Sequence, residues 1–358
     1  MDDATSERTL RKGWTTGACA AAAAAAAFRA LAGGGDSDSV SIVLPRGERP
    51  EFPLSRSESS KGGATAGVIK DAGDDPDVTD GAEIVVTVEP AAAGSGIGFR
   101  RGEGVGTITR PGLSLAVGEP AINPGPRRII ADAIGAIAAE LGVAADITVT
   151  VSIPGGEKLA ARTLNGRLGI VGGLSVLGTT GVVVPYSRAS WIHTIHRGID
   201  VARASGIDHI AAATGKTSEA AARALFDLPE IALVEMGDFA GGLLKYLRRK
   251  PVGRLTIAGG FAKTCKLAQG HLYLHSSRSR VDFDALAGLA AELGADAATV
   301  ERARTANTAA QVLEEVPELA TAIARRAREV ALDALAGETV VAVAVFDRGG
   351  KLVGHAGD

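Results

Sequence analysis

The 358-residue chain is poor in aromatic residues, which make up 4% of it, with 2 Trp, 3 Tyr and 8 Phe. Few stacking platforms are therefore on offer to single-stranded nucleic acid. Cysteine is nearly absent. Cys19 and Cys265 stand far apart in the sequence, which excludes a disulfide framework and a Cys-type zinc site and fits a reducing, cytoplasmic setting. Neither sign of charge dominates, since 38 Lys plus Arg face 41 Asp plus Glu for a formal net charge of -3. A general nucleic-acid binder or a polybasic membrane anchor is not expected. Long hydrophobic runs are also missing: the segment Ala18 to Phe28 is far short of the ~18 residues needed to span a bilayer. It follows Arg8, Arg11 and Lys12, so it also carries the outline of a secretory signal. Alanine is the best helix former, however, and Thr15-Thr16-Gly17 supplies N-cap chemistry, so the run reads first as a buried, closely packed helix.

Glycine is abundant, at 47 residues against a usual share of ~7%. Apolar residues are 46% and charged residues 22%, the composition of a folded globular protein, and the length suggests two domains of ~150 residues or more. Val40 to Leu44, Ala82 to Val88, Val105 to Thr109 and Ile147 to Ile153 read as strands, because β-branched residues are bounded by Gly, Pro and Asp. Ile129, Ile130, Ile134 and Ile137 lie near a 3.6-residue period, which predicts a helix over Pro126 to Leu141. The polar stretch Ser55 to Gly63 reads as a surface loop. After Tyr186 strands and helices alternate: strand His209 to Ala213, helix Ser218 to Phe226, strand Ile231 to Glu235, helix Phe239 to Arg249, strand Arg254 to Ala258, then a turn at Gly259-Gly260 and a helix through Leu267. Asp284 to Leu335 is mostly helical and Val340 to Phe346 is a buried strand. The expected fold is an α+β domain over residues 1–190, followed over 191–358 by an α/β domain with an open, mostly parallel sheet.

The second half carries the layout of a nucleoside site. A strand ends at Thr214-Gly215, a helix follows, and Glu235 closes the next strand, where an acid can accept hydrogen bonds from ribose hydroxyls. The glycines of a dinucleotide fingerprint are absent, so the adenosine of S-adenosylmethionine fits better than NAD. An α/β layer with an incidental acid reads equally well. Thr214, Gly215, Glu235, Gly259 and Gly260 are the candidate cofactor residues, and the glycine-rich Leu168 to Gly181 segment is the competing cofactor site. Gly215-Lys216-Thr217 is no phosphate loop, because the first glycine would fall at Ile210. His193/His196 and His271/His275 have spacings that suit one helix face but no accompanying carboxylate motif, so no protein-bound metal is expected. Asp71, Asp74, Asp75, Asp77 and Asp80 read either as a solvated turn or as a carboxylate cluster able to supply a general base, with Asp74 and Asp75 the candidates. Arg100, Arg101 and Arg110 beside Gly94 to Gly106, and Arg167 and Arg188 beside Gly166 to Gly181, together with Arg127 and Arg128 opening a helix after Asn123-Pro124, suggest a surface for a polycarboxylate, with turn glycines and solvated arginines the alternative.

Several of these segments resemble the CbiD family of the anaerobic cobalamin pathway. They are GWTTGACAA from Gly13, KDAGDDPDVT from Lys70, GEGVGTITR from Gly102, GEPAINP from Gly118, SIPGGE from Ser152, LGIVGGLSVLGTTG from Leu168, EMGDF from Glu235, and Lys266 to His275 with Ser276. Trp14, Ala18 and Gly166 stand where the family usually has Tyr, Thr and Pro. The resemblance implies methyl transfer from S-adenosylmethionine to C-1 of cobalt-precorrin-5B, with cobalt carried by the corrinoid substrate and no nucleic-acid or membrane partner. It leaves the oligomeric state open. The ring's peripheral acetates and propionates would call on Arg110, Arg127, Arg128 and Arg167, and the motif residues Thr15, Thr16, Gly178, Thr179 and Thr180 complete the candidate substrate set. A nucleotide-dependent oxidoreductase and a non-catalytic corrinoid carrier are the competing classes.

Overall fold

The computed structural model describes residues 10–35, 37–60 and 62–357, so Arg8 lies outside the described residues. The chain divides between Ser187 and Arg188 into two compact units. The first contains, in order, β1 (Gly13–Trp14), α1 (Thr16–Leu31), β2 (Ser39–Ser41), β3 (Glu51–Pro53), β4 (Arg56–Ser60), β5 (Gly63–Ile69), β6 (Glu83–Pro90), β7 (Ile97–Arg101), β8 (Thr107–Ile108), α2 (Pro124–Leu141), β9 (Ile147–Ser152), α3 (Gly156–Ala160), β10 (Ile170–Val171) and β11 (Val182–Val183). Its main sheet has the order β4-β5-β6-β9-β7 and is antiparallel except for the β7–β9 pair.

The alanine run is the centre of this unit. The Thr15 hydroxyl accepts from the Ala18 N–H and so caps α1, one of the orphan donors that every helix start leaves. Ala18 through Ala25 are at most 1% exposed. α1 packs on α2 and on β5 and β6, and alanine side chains let the α2 isoleucines Ile129, Ile130 and Ile134 pack into the same core. Helix α2 stops where the sequence supplies Gly142, whose left-handed φ of 67° terminates it.

Several segments differ from their sequence reading. Ser55 to Gly63 is not a plain loop: it holds β4, a polar edge strand paired to β5. Charge and hydroxyls suit an unpaired edge but erase the apolar alternation by which strands are recognised. The glycine-rich region after Gly94 likewise contains β7, held parallel to β9.

The second unit contains α4 (Arg188–Ala204), β12 (His209–Ala213), α5 (Lys216–Leu225), β13 (Leu233–Glu235), α6 (Ala240–Leu247), β14 (Arg254–Gly260), α7 (Phe261–Ala268), α8 (Phe283–Glu292), α9 (Ala297–Arg304), α10 (Ala309–Glu315), α11 (Leu319–Leu335), β15 (Val340–Phe346) and β16 (Leu352–Ala356). The sheet order is β13-β12-β14-β15-β16, with the first four strands parallel and β16 antiparallel at the edge. Strand side chains alternate between two cores. Ile210, Leu255, Ile257, Val341 and Val343 pack with α6, α7 and α11, whereas Ala211, Ala213, Ala258 and Ala344 pack with Ala222 of α5. Gly259 and Gly260 do not form a turn. They end β14, opposite Val345 and Phe346, and the chain passes directly into α7. Among the described residues no helix is long and apolar enough to cross a membrane.

Because α1 is packed on all sides, enlarging it should be costly. Ala22→Leu is expected to lower stability by about 1–3 kcal/mol, the usual penalty of overpacking, as read from the urea midpoint. A neutral result would mean that the α1–α2 contact yields.

Candidate functional site

In the first unit the motif segments converge on the start of α1. The Trp14 N–H donates to the Asp71 carbonyl at 2.8 Å, Thr15 N–H to Gly181 at 2.9 Å and Gly17 N–H to Leu177 at 3.1 Å. A Cβ on Gly178, whose φ is +113°, would run into the Thr15 side chain, and one on Gly125 would lie 3.1 Å from Thr179 Cα. Thr15, Thr16, Gly178 and Thr179 are thus brought together, but the close approach is between segments of this chain. Thr15 and Thr16 are buried, and Thr180 Oγ1 lies 3.2 Å from the Val182 carbonyl.

The aspartates fasten this knot. Asp71 pairs with the Arg11 guanidinium, and Asp74 Oδ2 accepts from the Arg11 N–H at 2.7 Å. Asp75 Oδ1 accepts from the Tyr186 N–H at 2.8 Å, and Asp80 Oδ1 from Ala72 N–H at 2.8 Å. Lys70, 1% exposed, donates to Asp77 Oδ2 at 2.7 Å. Burial pushes the Asp77 carboxyl up, but the Lys70 ammonium, joined by hydrogen bonds from Lys70 and Thr79, outweighs burial and holds it below the usual carboxylate range. In the same core, burial pushes the Cys19 thiol up to about 12, so at neutral pH it is protonated and a poor nucleophile.

The arginines divide. Arg127 is engaged within its own unit: Nε donates to the Ile122 carbonyl, Nη2 to Glu119 at 2.8 Å, and the guanidinium lies 5.5 Å from the Phe99 ring centre. Arg110 packs against Gly169. Arg128 is exposed and Arg167 is half-buried.

In the second unit, Thr214, Gly215, Glu235, Gly259 and Gly260 meet at the carboxyl ends of β12, β13 and β14. Ala213 pairs with both Glu235 and Ala258, and the Thr214 N–H donates to the Ala258 carbonyl at 2.9 Å. With the strand order reversing between β12 and β14, this is the switch-point crevice where open α/β sheets receive ligands. Helices α5 and α7 begin there at Gly215 and Gly260 without side-chain caps. Gly215 is extended at φ 176°, and beyond its own chain neighbours no described atom lies within 4 Å of where its Cβ would stand. The half-buried Glu235 carboxylate has no partner among the described residues. Lys263 closes one side, donating to the Thr214 carbonyl at 3.0 Å and lying 3.0 Å from Asp238 Oδ1. That oxygen is buried and outside hydrogen-bond geometry, so the contact is ionic rather than a directed bond.

The histidine pairs have separate duties. His196 stacks on Tyr246 at 3.8 Å, and burial lowers its pKa. His271 and His275 do not share a helix, and His275 Nδ1 lies 2.8 Å from Ser277 Oγ. Among the described residues no group of three or more His, Cys, Asp or Glu is arranged to hold a metal ion.

Residues 3–185 match the family CbiD, and residues 273–357 match CbiD, C-terminal domain. The chain belongs to the CbiD family. It is 58% identical to a protein named cobalt-precorrin-5B C(1)-methyltransferase from Paramagnetospirillum magneticum, over 98% of this chain and 99% of that one. A protein of the same name from a Bradyrhizobium species is 59% identical over 97% and 94%. A solved structure titled cobalamin biosynthesis protein (cbiD) from Archaeoglobus fulgidus is 30% identical, covers 70% of this chain and 77% of that one, and aligns with a TM-score of 0.41.

In this CbiD chain a Cβ on Gly259 would stand 3.1 Å from Thr214 Cγ2 and 3.2 Å from Thr264 Oγ1, and φ there is outside the left-handed region. The glycine is fixed by its own neighbours, not by a left-handed backbone. Gly259→Val should cost about 1–3 kcal/mol of stability, checked by denaturant unfolding without ligand; an unchanged midpoint would overturn this reading. Asp77→Asn strips a buried ammonium of its counter-charge and should cost about 3–5 kcal/mol at pH 7. Because the folded carboxyl is depressed, the stability it contributes is full above the unfolded value of ~3.9 and is lost as pH falls through the folded value. The gap between wild type and variant should therefore close in acid, and a gap independent of pH would count against the ion pair.

Proposed function

We propose that this chain transfers the methyl group of S-adenosylmethionine to C-1 of cobalt-precorrin-5B, giving cobalt-precorrin-6A and S-adenosylhomocysteine, as a cytoplasmic enzyme of cobalamin biosynthesis. The observation that carries this reading is the 58% identity, over 98% of the chain, to a protein named for that reaction. The strand ends of the second unit suit the methyl donor. There is open space at Gly215, an acid without a partner at Glu235, and helix starts at Gly215 and Gly260 whose N–H groups have no side-chain cap.

When bound, S-adenosylmethionine supplies an electrophilic methyl on sulfonium. Glu235 would accept from the ribose hydroxyls, and the N–H groups at the starts of α5 and α7 would favour the cofactor's carboxylate. Thr214 and Gly260 would line the same crevice. The attacking ring carbon is made electron-rich by the conjugated macrocycle, so the protein's main task is to hold methyl and carbon in line and to exclude water. Cobalt arrives within the substrate. Arg110, Arg128 and Arg167 are proposed to meet its peripheral carboxylates, while Arg127 serves chiefly to hold Glu119 and the Ile122 carbonyl. Thr15, Thr16, Gly178, Thr179 and Thr180 would shape the first unit's wall through their mutual packing. Asp74 and Asp75 each keep one oxygen without a partner among the described residues, and those oxygens are the ones we assign to proton acceptance.

Incubation with cobalt-precorrin-5B and methyl-labelled S-adenosylmethionine should place the label on C-1, as located by NMR. Label that stays in the cofactor although the corrinoid binds would refute the assignment. Glu235→Gln should weaken S-adenosylhomocysteine roughly tenfold, the equivalent of about 1.4 kcal/mol, by calorimetric titration. Gly215→Val should weaken it while leaving the unfolding midpoint near wild type, because the position is extended and open. Unaltered affinity in both variants, with loss on Thr179→Ala at an exposed position of that segment, would move the cofactor to the Leu168–Gly181 segment.

A further inference from the structure

In a chain with so few aromatic residues, four rings of the second unit stand in a row. Trp191 and Phe239 have centroids 6.1 Å apart, Phe239 and Tyr273 5.3 Å, and Tyr273 and the His275 imidazole 6.1 Å. Such spacings belong to contacting rings. The row lies at the edge of the core, where Phe239 packs against it. Trp191 is 44% exposed, His275 is exposed, and Phe239 and Tyr273 are half-buried.

The row also adjoins the switch-point crevice. A Cβ on Gly237 would lie 3.3 Å from the Trp191 indole, and Gly237, Asp238 and Phe239 continue the chain from Glu235. The Leu274 N–H donates to the Asp238 carbonyl at 2.9 Å and Lys266 Nζ to the Leu274 carbonyl at 2.8 Å, which fixes the segment bearing Tyr273 and His275 to the strand ends. Its charge is positive. The Arg188 guanidinium lies 5.0 Å over the Tyr273 ring and makes no ion pair among the described residues, and neither do Arg278 and Arg280 farther along that segment. The nearby acid, Asp238, is already matched by Lys263.

We propose that this row lines the seat of the tetrapyrrole: Trp191, Phe239 and Tyr273, tilted by 35° and 41° from one ring to the next, form an aromatic wall for the macrocycle, and Arg188, held over the Tyr273 ring, takes a peripheral carboxylate. The inference rests on the methyltransferase reading above. A row of four rings is longer than one purine covers, and unpaired guanidinium next to exposed rings suits a flat polycarboxylate better than an uncharged base. The seat also puts the ring beside the strand ends proposed to hold the methyl donor.

The test compares two affinities in the full-length protein. Uroporphyrin, a flat octacarboxylate, is titrated by its absorbance shift, and S-adenosylhomocysteine by calorimetry. Tyr273→Ala and Arg188→Ala should each raise the uroporphyrin Kd at least tenfold and leave the S-adenosylhomocysteine Kd within twofold. Trp191→Ala should do the same and Trp191→Phe should restore binding, with circular dichroism confirming that every variant folds. Weakening of S-adenosylhomocysteine alone would assign the rings to the adenine and overturn the proposal. Unchanged uroporphyrin affinity in all three alanine variants would overturn it as well. Failure of the methyltransferase reading shows separately, as wild-type protein that binds uroporphyrin but moves no label to cobalt-precorrin-5B.

Discussion

The first unit depends on glycines that let a neighbouring segment, its backbone or a side chain, come up against the main chain. Gly13 lies against Ala72, Gly73 against Arg11 and Lys12, Gly17 against Pro126, and Gly178 against Thr15. A helix of alanines fills the space behind them. Contacts this close tolerate no added atom, so the segments around Gly13, Lys70 and Leu177 hold one relative geometry. The buried Lys70–Asp77 pair fits the same constraint. Desolvating an ammonium is unfavourable unless a carboxylate is held beside it, and the Asp77 side chain is itself held by Thr79 N–H and Oγ1. Glycine abundance here reflects self-packing before any ligand is considered.

That explains which sequence signals were readable. The Ala18–Phe28 run, the isoleucine period of α2, and β12, β14 and β15 announced themselves through composition and alternation, because each buries a face whose periodicity survives in the chain. β4 did not, since an edge strand with Arg56, Ser57, Glu58 and Ser59 has no buried face. β7 was hidden by Gly96 and Gly98, and it is recognisable only from its parallel partner β9. Gly259-Gly260 read as a turn because two glycines usually mark one, whereas tight contact with Thr214 and Thr264 is what requires a glycine at position 259.

The candidate site was legible to a similar degree. Thr214, Gly215 and Glu235 could be brought together from the strand–helix alternation, because parallel strands align their carboxyl ends. The arginines could not be sorted, since free and engaged guanidinium groups look alike in sequence. Only coordinates distinguish Arg127, held by Glu119 and Ile122, from Arg188, which faces a ring. The aromatic row was invisible for a related reason. Its members come from α4, the segment after β13 and the segment after α7, too far apart in sequence to form a motif.

Scarcity gives that row its weight. Aromatic side chains are usually spent on cores, where they bury the most area, yet the cores of both units are built mainly from Ala, Val, Ile and Leu. Keeping Trp191 44% exposed forgoes burial that a core position would supply, at roughly 25 cal/mol for each Å² left in water. The neighbouring guanidinium of Arg188 makes the same surface worse for another apolar chain and better for a flat anion. Stability alone favours neither choice, and both become intelligible if the surface is covered by a ligand during the reaction.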